Sequence, residues 1–554
     1  MCRLWDMVEN FDPNTIEDER VRQVVMELMN LVESLLGKLT EKDDLIQELR
    51  DKISRLTGEQ GKPKIRGNNP APDLSSRKEQ RESKPHHKSS KQGKIQIDRE
   101  ALLQVDRSQL PEDAQFKGYQ DVVVQDIVFR TDNVLFHKEK YYSPGQKRTY
   151  LAPLPAGYHG QFGPGVRTWV LLLYFSGRMS EPKILEVLHT IGMSMSAGEL
   201  SDLLIKDQDL FHAESTDVVK AGLQSSPWHH LDSTATRVNG HNHHCHVLCN
   251  QLYSFYCTTP SKDRRSMLRV LQGGADPSFR LNDLAAQLLG KLAVSPKWSE
   301  KLLTVLPREV DLSEEQIDAM LDDWLPTMGS IVRKNVKDAL AIAAYRTQNS
   351  HPVVDLLVCD DAHQFNALTA LLALCWVHEY RHYKKLIPRF THHCTLLQEF
   401  DKGFWKLYQG LLQYRLQPSP TQAAALQAEF DQLFAHKSGY QQLDECKART
   451  LKKREQLLMV LSHPEILLHN NPAELAARQR VRKRDVSLQA RTRDGIGAWD
   501  TFETLVATAK KLGVNLFHYF FDRITSTYAL PSLATLIGEQ ATLMALGNSW
   551  GQAP

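Results

Sequence analysis

The sequence lacks the features of secreted, membrane-bound or disulfide-stabilised proteins. Its eight cysteines form no Cys-x-x-Cys pair, so neither a disulfide framework nor a redox motif is expected. The longest apolar stretches, such as 169–175, fall well short of the roughly 20 residues that cross a bilayer. The N-terminus carries acids where a signal peptide needs an apolar run. These absences predict a soluble, cytoplasmic protein without a membrane partner.

A strong net charge is also absent. The 68 basic and 66 acidic residues leave a net charge of +2, so the charge of the whole chain does not identify a partner. Any attraction to a polyanion must come from local clusters of cations. A length of 554 residues exceeds that of one domain and predicts several folded units.

The first hundred residues predict a helix followed by a linker. Between Val21 and Leu56 apolar residues recur at spacings of three and four, which predicts a coiled coil over 1–57 and a homo-oligomer. The alternative is one amphipathic helix docked on its own protein. Residues 58–94 hold ten Lys or Arg against four acids and predict a flexible basic linker over 58–100. This linker is either solvated or lies along DNA phosphates.

Two small modules are predicted next. The β-prone runs 121–129, 133–142 and 146–150 predict a small β-rich module, a meander, over 101–165. A helix beginning after Ser180 and a capping box from Ser196 to Glu199 predict a helix-turn-helix-like module over 166–218. Two short helices joined near a glycine are common, so structural packing is the alternative to DNA contact.

Three acidic positions suit a metal site. Residues 228–260 contain three β-prone runs, and an Asn-Gly pair at 239–240 between the first two predicts a hairpin. Asp232 lies in the first run, WHHLDSTATRV, where an unpaired carboxylate is costly to bury. A nearly all-apolar run ends on Asp360 and Asp361, either of which could serve at a strand end, whereas Asp355 is less favoured. Glu474 lies in the first turn of a helix that starts at an Asn-Asn-Pro sequence. Separated carboxylates of this kind hold the two divalent ions of phosphoryl-transfer enzymes.

A run of cations follows Glu474 on the same helix and predicts contacts with DNA phosphates, the alternative being a solvated basic helix. The candidate DNA-binding residues are Arg478, Arg482, Lys483 and Arg484, and Arg480 lies in the same run. Histidines and cysteines between 229 and 249 invite a zinc hypothesis. Alternation along a hairpin splits them between two faces, so zinc is not expected.

Five blocks of the sequence follow one another in the chain: LDSTATR around Asp232, LLVCDDAHQF around Asp360, the block from Cys375 to Arg381, NNPAELAAR around Glu474, and the late TLVATAKKLGVNLFHYF. The most specific patterns among them are Cys-Trp-x-His-x-x-Arg and Asn-Asn-x-x-Glu. In this order the blocks resemble the insertion-sequence sixty-six transposases, and the similarity runs from the coiled coil nearly to the C-terminus.

The resemblance implies an α/β multidomain protein with a catalytic domain over 219–498. This domain is expected to have an RNase H-like mixed sheet, in which an antiparallel meander holds Asp232. Helical insertions are expected at about 271–350 and 366–460, with a C-terminal helical tail over 499–554. The implied enzyme is a DDE transposase in which Asp232, Asp360 and Glu474 are catalytic and bind two divalent ions, Mg²⁺ or alternatively Mn²⁺. Asp360 rather than Asp361 takes the second position. Water, and then the liberated DNA 3′-hydroxyl, would attack a phosphodiester.

The implied partner is double-stranded DNA, at the terminal repeats of the element and at the target. His378 and Arg381 are further candidates for DNA contact, with a metal-ligand role for His378 as the alternative. A bacterial cytoplasmic location, association with the nucleoid when bound to DNA, and small accessory proteins also follow from the resemblance. The zinc module of many relatives is missing here. A nuclease without strand joining and a catalytically silent DNA-binding assembly protein are the competing functions.

Overall fold

The first long element is helix α1, Glu19–Leu56, preceded by a short 3₁₀ turn at Pro13–Thr15. The structure is a computed structural model that describes residues 9–56, 97–106, 110–111, 114–127, 131–158, 160–349 and 351–544. The predicted basic linker therefore lies almost wholly outside the described residues.

Helix α1 docks one side of its first half against the rest of the chain. Met29 and Glu33 are buried there, and the Asn30 side-chain amide donates to the carbonyl of Gly439 at 2.9 Å. Docking on its own protein, the alternative to self-pairing, is thus seen for this half. A second stripe of apolar residues on α1, in heptad spacing, is at least half exposed: Val21, Val24, Leu28, Leu31 and Leu35. This stripe is free for self-pairing, which stays a prediction.

The predicted β-rich module contains one hairpin. Strands β1, Lys140–Ser143, and β2, Arg148–Leu151, pair antiparallel. The meander is wrong in its first strand, because the described part of 121–129 is neither helix nor strand. A β-prone run becomes a strand only where a neighbour accepts its backbone hydrogen bonds, and the described residues provide no such neighbour.

Four helices form the next module. They are α2, Pro164–Leu171; α3, Glu181–Thr190; α4, Ala197–Ile205; and α5, Asp209–Gln224, with a π-helical turn at Leu172–Ser176 after α2. The predicted capping box is present, because Ser196 and Glu199 exchange hydrogen bonds at the start of α4. Gly192 has a φ of +83° in the turn before it. The helix pair is confirmed, and its contact with DNA stays a prediction.

A five-stranded mixed sheet follows. Its strands are β3, Trp228–Val238; β4, His241–Cys249; β5, Ser254–Thr259; β6, Leu356–Cys359; and β7, Leu371–Leu374. Strands β3 to β5 form the predicted antiparallel meander, with positive φ at Asn239 and Gly240 in the tight turn. Strands β6 and β7 add in parallel on the other side of β3, in the order β5-β4-β3-β6-β7. The α/β class and the mixed sheet are confirmed.

Helices interrupt the sheet twice. Between β5 and β6 lie α6, Arg264–Leu271; α7, Asp283–Lys291; α8, Pro296–Val305; α9, Glu314–Trp324; and α10, Ser330–Thr347. After β7 come α11, Trp376–Lys384; α12, Thr391–Leu416; α13, Pro420–Ala435; α14, Gln441–Leu451; and α15, Arg454–Leu457. A short 3₁₀ helix, His363–Phe365, links β6 to β7, and another, Met459–Leu461, follows α15. The second insertion starts later than the predicted 366, because β7 belongs to the sheet.

The C-terminal helices are α16, Asn471–Ser487; α17, Arg493–Lys511; α18, Leu516–Ile524; and α19, Leu533–Leu543. Helix α17 runs across the predicted boundary at 498 and covers the edge of β5. There the amides of Ser254 and Tyr256 donate to the hydroxyls of Thr508 and Thr504, at 3.2 and 3.0 Å. An edge strand capped in this way cannot pair with another chain. The predicted tail is therefore part of the central domain.

Each described helix is too short or too polar to cross a membrane.

Candidate active site

Strands β3 and β6 place two of the predicted carboxylates side by side. The strands are parallel, with His230 opposite Val358. Continuing this register by two residues brings Asp232 level with Asp360, which directly follows the end of β6 at Cys359. The alternation of side chains along a strand then directs both carboxylates to the same face of the sheet. Asp232 also pairs with Val247 on β4, whose side chain packs with alanines of α16. Both acids therefore face α16.

Helix α16 brings the third carboxylate to this face. Glu474 lies in its first turn, and 17% of its side chain is exposed. Burial and the charges of Glu474 and Asp360 together raise the pKa of Asp232 to about 7, and burial is the largest of these causes. Coulombic interactions weaken with distance, so their effect on Asp232 indicates that Glu474 and Asp360 lie close to it. The three acids form one cluster, although 128 and then 114 residues separate them in the chain.

Two side chains of α11 meet Glu474. Arg381 lies 3.2 Å from one carboxylate oxygen and donates to Nε2 of His378 at 2.7 Å. Nδ1 of His378 faces the other oxygen, Oε1, at 3.4 Å. Nδ1 of His378 and Oε1 of Glu474 are both buried without a hydrogen-bond partner among the described residues. His378 and Arg381 thus belong to the cluster, and their contact with DNA stays a prediction.

The structure separates Asp360 from its neighbour in sequence. Asp361 forms an ion pair with Lys453, which also contacts Glu379 at 2.9 Å. Glu379 directly follows His378 in the sequence, and its side chain is buried. Asp360 instead interacts with Asp232. Asp360 is therefore the second acid of the cluster. Asp361 instead joins the end of β6 to the helical insertion through Lys453.

Sequence reasoning missed Asn470, which is fully buried and joins three elements of the site. Its side-chain amide donates to the carbonyl of Leu231 at 2.9 Å, and its Oδ1 lies 3.1 Å from Nδ1 of His230. Its backbone amide donates to Sγ of Cys375 at the start of α11, at 3.2 Å. The Asn-Asn-Pro sequence before Glu474 was the available signal. Lys453 had no such signal, because its partners are distant in sequence.

The cationic run on α16 is divided between two faces. Arg478 and Arg482 are exposed, whereas Lys483 is buried and donates to the carbonyl of Tyr174 at 3.0 Å. The prediction that Lys483 contacts DNA is wrong, because its ammonium lies over the Tyr174 ring inside the protein. Arg484 is half-buried and donates to the carbonyl of Ala235.

Arg480 of the same run is fully buried between two acids of α17. It lies 2.6 Å from a carboxylate oxygen of Asp500 and 2.7 Å from one of Glu503. The inward positions of α16 repeat every three or four residues, as expected where a helix crosses a sheet. They are Ala473, Ala476, Ala477, Arg480 and Lys483. Arg480 fixes α16, and with it Glu474, to the sheet.

The histidines of the meander have structural partners. His246 lies 2.7 Å from the hydroxyls of both Ser233 and Thr259, and His229 lies 3.2 Å from the carbonyl of Gly222. Burial lowers the pKa of both histidines to about 4. These rings are therefore neutral and fill the polar interior of the sheet.

The donor atoms of the cluster suit divalent cations. Three carboxylates converge, and Arg381 is a cation that contacts one of them, Glu474. One cation against three acids leaves negative charge for a metal ion to neutralise. A second set, Cys375, His378 and Glu474, has ligand atoms that all lie within 4.8 Å of one another. The unsatisfied Oε1 of Glu474 belongs to both sets. Carboxylate oxygens favour Mg²⁺, and an added imidazole favours softer ions such as Mn²⁺ or Zn²⁺.

Comparison with known sequences gives the family. Residues 344–498 match the family described as Transposase IS66 family. The chain is also 30% identical over 329 residues to the uncharacterized protein y4jO of Sinorhizobium fredii, an alignment that covers 58% of this chain and all of that relative. The chain belongs to the IS66 transposase family.

The segment that matches the IS66 family holds most of the cluster. It contains strands β6 and β7, Asp360, helix α11, the second helical insertion and Glu474. Asp232 lies outside this segment, on β3. The parallel pairing of β3 with β6 joins Asp232 to it, so the tertiary structure completes the cluster.

Proposed function

We propose that this protein is a DDE transposase that binds the ends of an insertion sequence and catalyses metal-dependent cleavage and strand transfer of DNA. The observation that carries the proposal is the convergence of Asp232, Asp360 and Glu474 on one face of the sheet. They come from a central strand, the end of its parallel neighbour and the first turn of a helix. Membership of the IS66 family supports the same function.

The proposal includes an RNase H-like core. The family resemblance implies an RNase H-like mixed sheet in which an antiparallel meander holds the first acid. Strands β3 to β7 form a mixed sheet, and Asp232 lies on its antiparallel part. Asp232 and Asp360 lie on or directly after adjacent parallel strands, and Glu474 lies on a helix that covers the same face. The insertions after β5 and β7 enlarge this core without interrupting the pairing of β3 with β6.

Asp232, Asp360 and Glu474 would hold two divalent ions. When bound, such ions polarise a phosphodiester and stabilise the attacking and leaving oxygens. The protein's own part is positional. Arg480 and Asn470 fix α16 against the sheet, and Lys453 fixes Asp361, so that the carboxylates keep their spacing. The buried environment that raises the pKa of Asp232 also makes the site favourable for a cation.

DNA would approach along the exposed side of α16 and α11. Arg478, Arg482 and Arg381 are exposed on these helices close to Glu474, and arginines suit phosphate oxygens. A second copy of the chain would pair along the exposed apolar stripe of α1, because leucines and valines in heptad spacing otherwise remain in water.

A strand-transfer assay tests the proposal, with labelled element ends, a target duplex and Mg²⁺. Asp232→Asn, Asp360→Asn and Glu474→Gln should each lower cleavage and joining by at least a hundredfold, because each removes a ligand charge. Asp355→Asn is the matched control, since this acid is exposed and directly precedes β6, at the other end of the strand from Asp360. Undiminished joining by the three variants would refute the assignment.

The same assay distinguishes the competing functions. Cleavage without joining would identify a nuclease, and binding without cleavage would identify a silent assembly protein.

A further inference from the structure

The β1–β2 hairpin is an isolated structure with an unusual surface. Its cross-strand pairs put Tyr141 opposite Tyr150 and Ser143 opposite Arg148, which places these four on one face. The exposed fractions of Tyr141 and Tyr150 are 66% and 42%. The other face carries Tyr142, exposed to 61%. Neither face of the hairpin is covered by another part of the described chain.

The hairpin is also basic. From 137 to 151 there are four cations and one acid, Glu139. All four cations are exposed, and none forms a salt bridge with another residue that the structure describes. They are Lys138, Lys140, Lys147 and Arg148. The Arg148 guanidinium lies over the ring of Tyr150, 5.2 Å from its centroid.

This combination favours a nucleic acid over a protein as the partner. Lysines are depleted in protein–protein interfaces, whereas cations and tyrosine hydroxyls are common donors to phosphates. A two-stranded ribbon is also narrow enough to enter the major groove of DNA. The surface therefore complements a polyanion with a groove.

We propose that the β1–β2 hairpin is a DNA-contacting ribbon, in which Lys140, Lys147 and Arg148 bind phosphates of duplex DNA and the tyrosines pack along the backbone. The proposal rests on the proposed function for DNA as the partner. It adds a second contact region, outside the carboxylate cluster and outside the family match at 344–498.

The test measures binding of the full chain to a fluorescent duplex by anisotropy over a salt titration. In the hairpin variant, Lys140, Lys147 and Arg148 are each changed to Gln. In the control variant, Lys291, Lys297 and Lys334, which are exposed on the first helical insertion, are each changed to Gln. Both variants lose the same formal charge. Only the hairpin variant should lose phosphate contacts.

Each phosphate contact contributes about 0.9 to the slope of log affinity against log salt. The hairpin variant should therefore lose nearly 3 from the slope and bind at least tenfold more weakly at about 0.15 M salt, on every duplex sequence. The control should keep the wild-type slope. Tyr141→Ser with Tyr150→Ser should weaken binding and leave the slope unchanged, because no charge is lost.

Equal slopes for the hairpin and control variants would overturn the proposal. So would an unchanged slope with a change in oligomeric mass by light scattering, which would make the hairpin a protein interface. If the wild-type chain bound no duplex, the proposed function would fail together with this one. Wild-type binding that the hairpin changes leave untouched would refute only the ribbon.

Discussion

Replacing Asp232 with Asn should stabilise the metal-free protein at alkaline pH. The carboxyl of Asp232 is largely buried on β3, beside two other acids, and burial is the first cause of its raised pKa. Asparagine has nearly the same shape and no charge to bury. The variant therefore removes an electrostatic cost that the folded protein bears in the absence of a cation.

The magnitude follows from the pKa. A change from the ordinary 3.8 to about 7 corresponds to about 4 kcal/mol, at about 1.4 kcal/mol for each pKa unit. A carboxyl whose pKa is raised in the folded protein binds its proton more tightly there. The contribution of Asp232 to the free energy of unfolding is therefore largest below about pH 4. It falls as the pH rises through 4 to 7 and is then lost in full. Between pH 5 and pH 8 this loss is about 3 kcal/mol.

The assay is equilibrium unfolding in guanidinium chloride with EDTA, at pH 5 and pH 8, for the wild type and Asp232→Asn. The free-energy gap in favour of the variant should widen by about 3 kcal/mol from the lower to the higher pH. Mg²⁺ at one hundred times its dissociation constant should add about 2.7 kcal/mol to the wild type. The variant should gain less, because one ligand is missing.

Asp276→Asn provides the control, since 81% of that side chain is exposed. Its gap to the wild type should not change with pH by more than about 0.5 kcal/mol. If Asp232→Asn is destabilised equally at both pH values, the carboxylate is not strained by burial. The cluster would then carry no electrostatic cost that a bound cation could relieve.

Three further changes test other parts of the structure. Arg480→Met should lower the free energy of unfolding by about 3 to 5 kcal/mol, because it removes the buried cation that pairs with both Glu503 and Asp500. Arg482→Met on the exposed side should cost less than about 0.5 kcal/mol. Lys453→Met should slow DNA cleavage at least tenfold in an initial-rate assay, with part of the rate restored in Lys453→Arg, whereas equal rates in all three proteins would exclude a positioning role. Leu28→Asp combined with Leu35→Asp should lower the oligomeric mass measured by light scattering, and an unchanged mass would place the subunit interface elsewhere.

Local patterns in the sequence were sufficient for the elements that carry the three acids. Alternating β-prone runs with an Asn-Gly turn predicted the meander that carries Asp232, and the Asn-Asn-Pro start predicted the helix that carries Glu474. The capping box predicted the start of α4. These features depend on residues close in the chain, whose conformational preferences act before any tertiary contact forms.

Other predictions failed where long-range packing decides. The run 121–129 has strand propensity but no strand partner among the described residues. Lys483 belongs to a cationic run, yet the 3.6-residue period of α16 turns it inward while Arg482 points outward.

The identity of the second acid shows the same division. The sequence determined that Asp360 and Asp361 end a buried strand, and from the residues alone either could serve; the resemblance pointed to Asp360. Only the tertiary structure places Asp360 beside Asp232 and gives Asp361 to Lys453, a residue 92 positions away. Strand register and ion pairing across an insertion determine this choice, because both depend on contacts between segments that no local pattern relates.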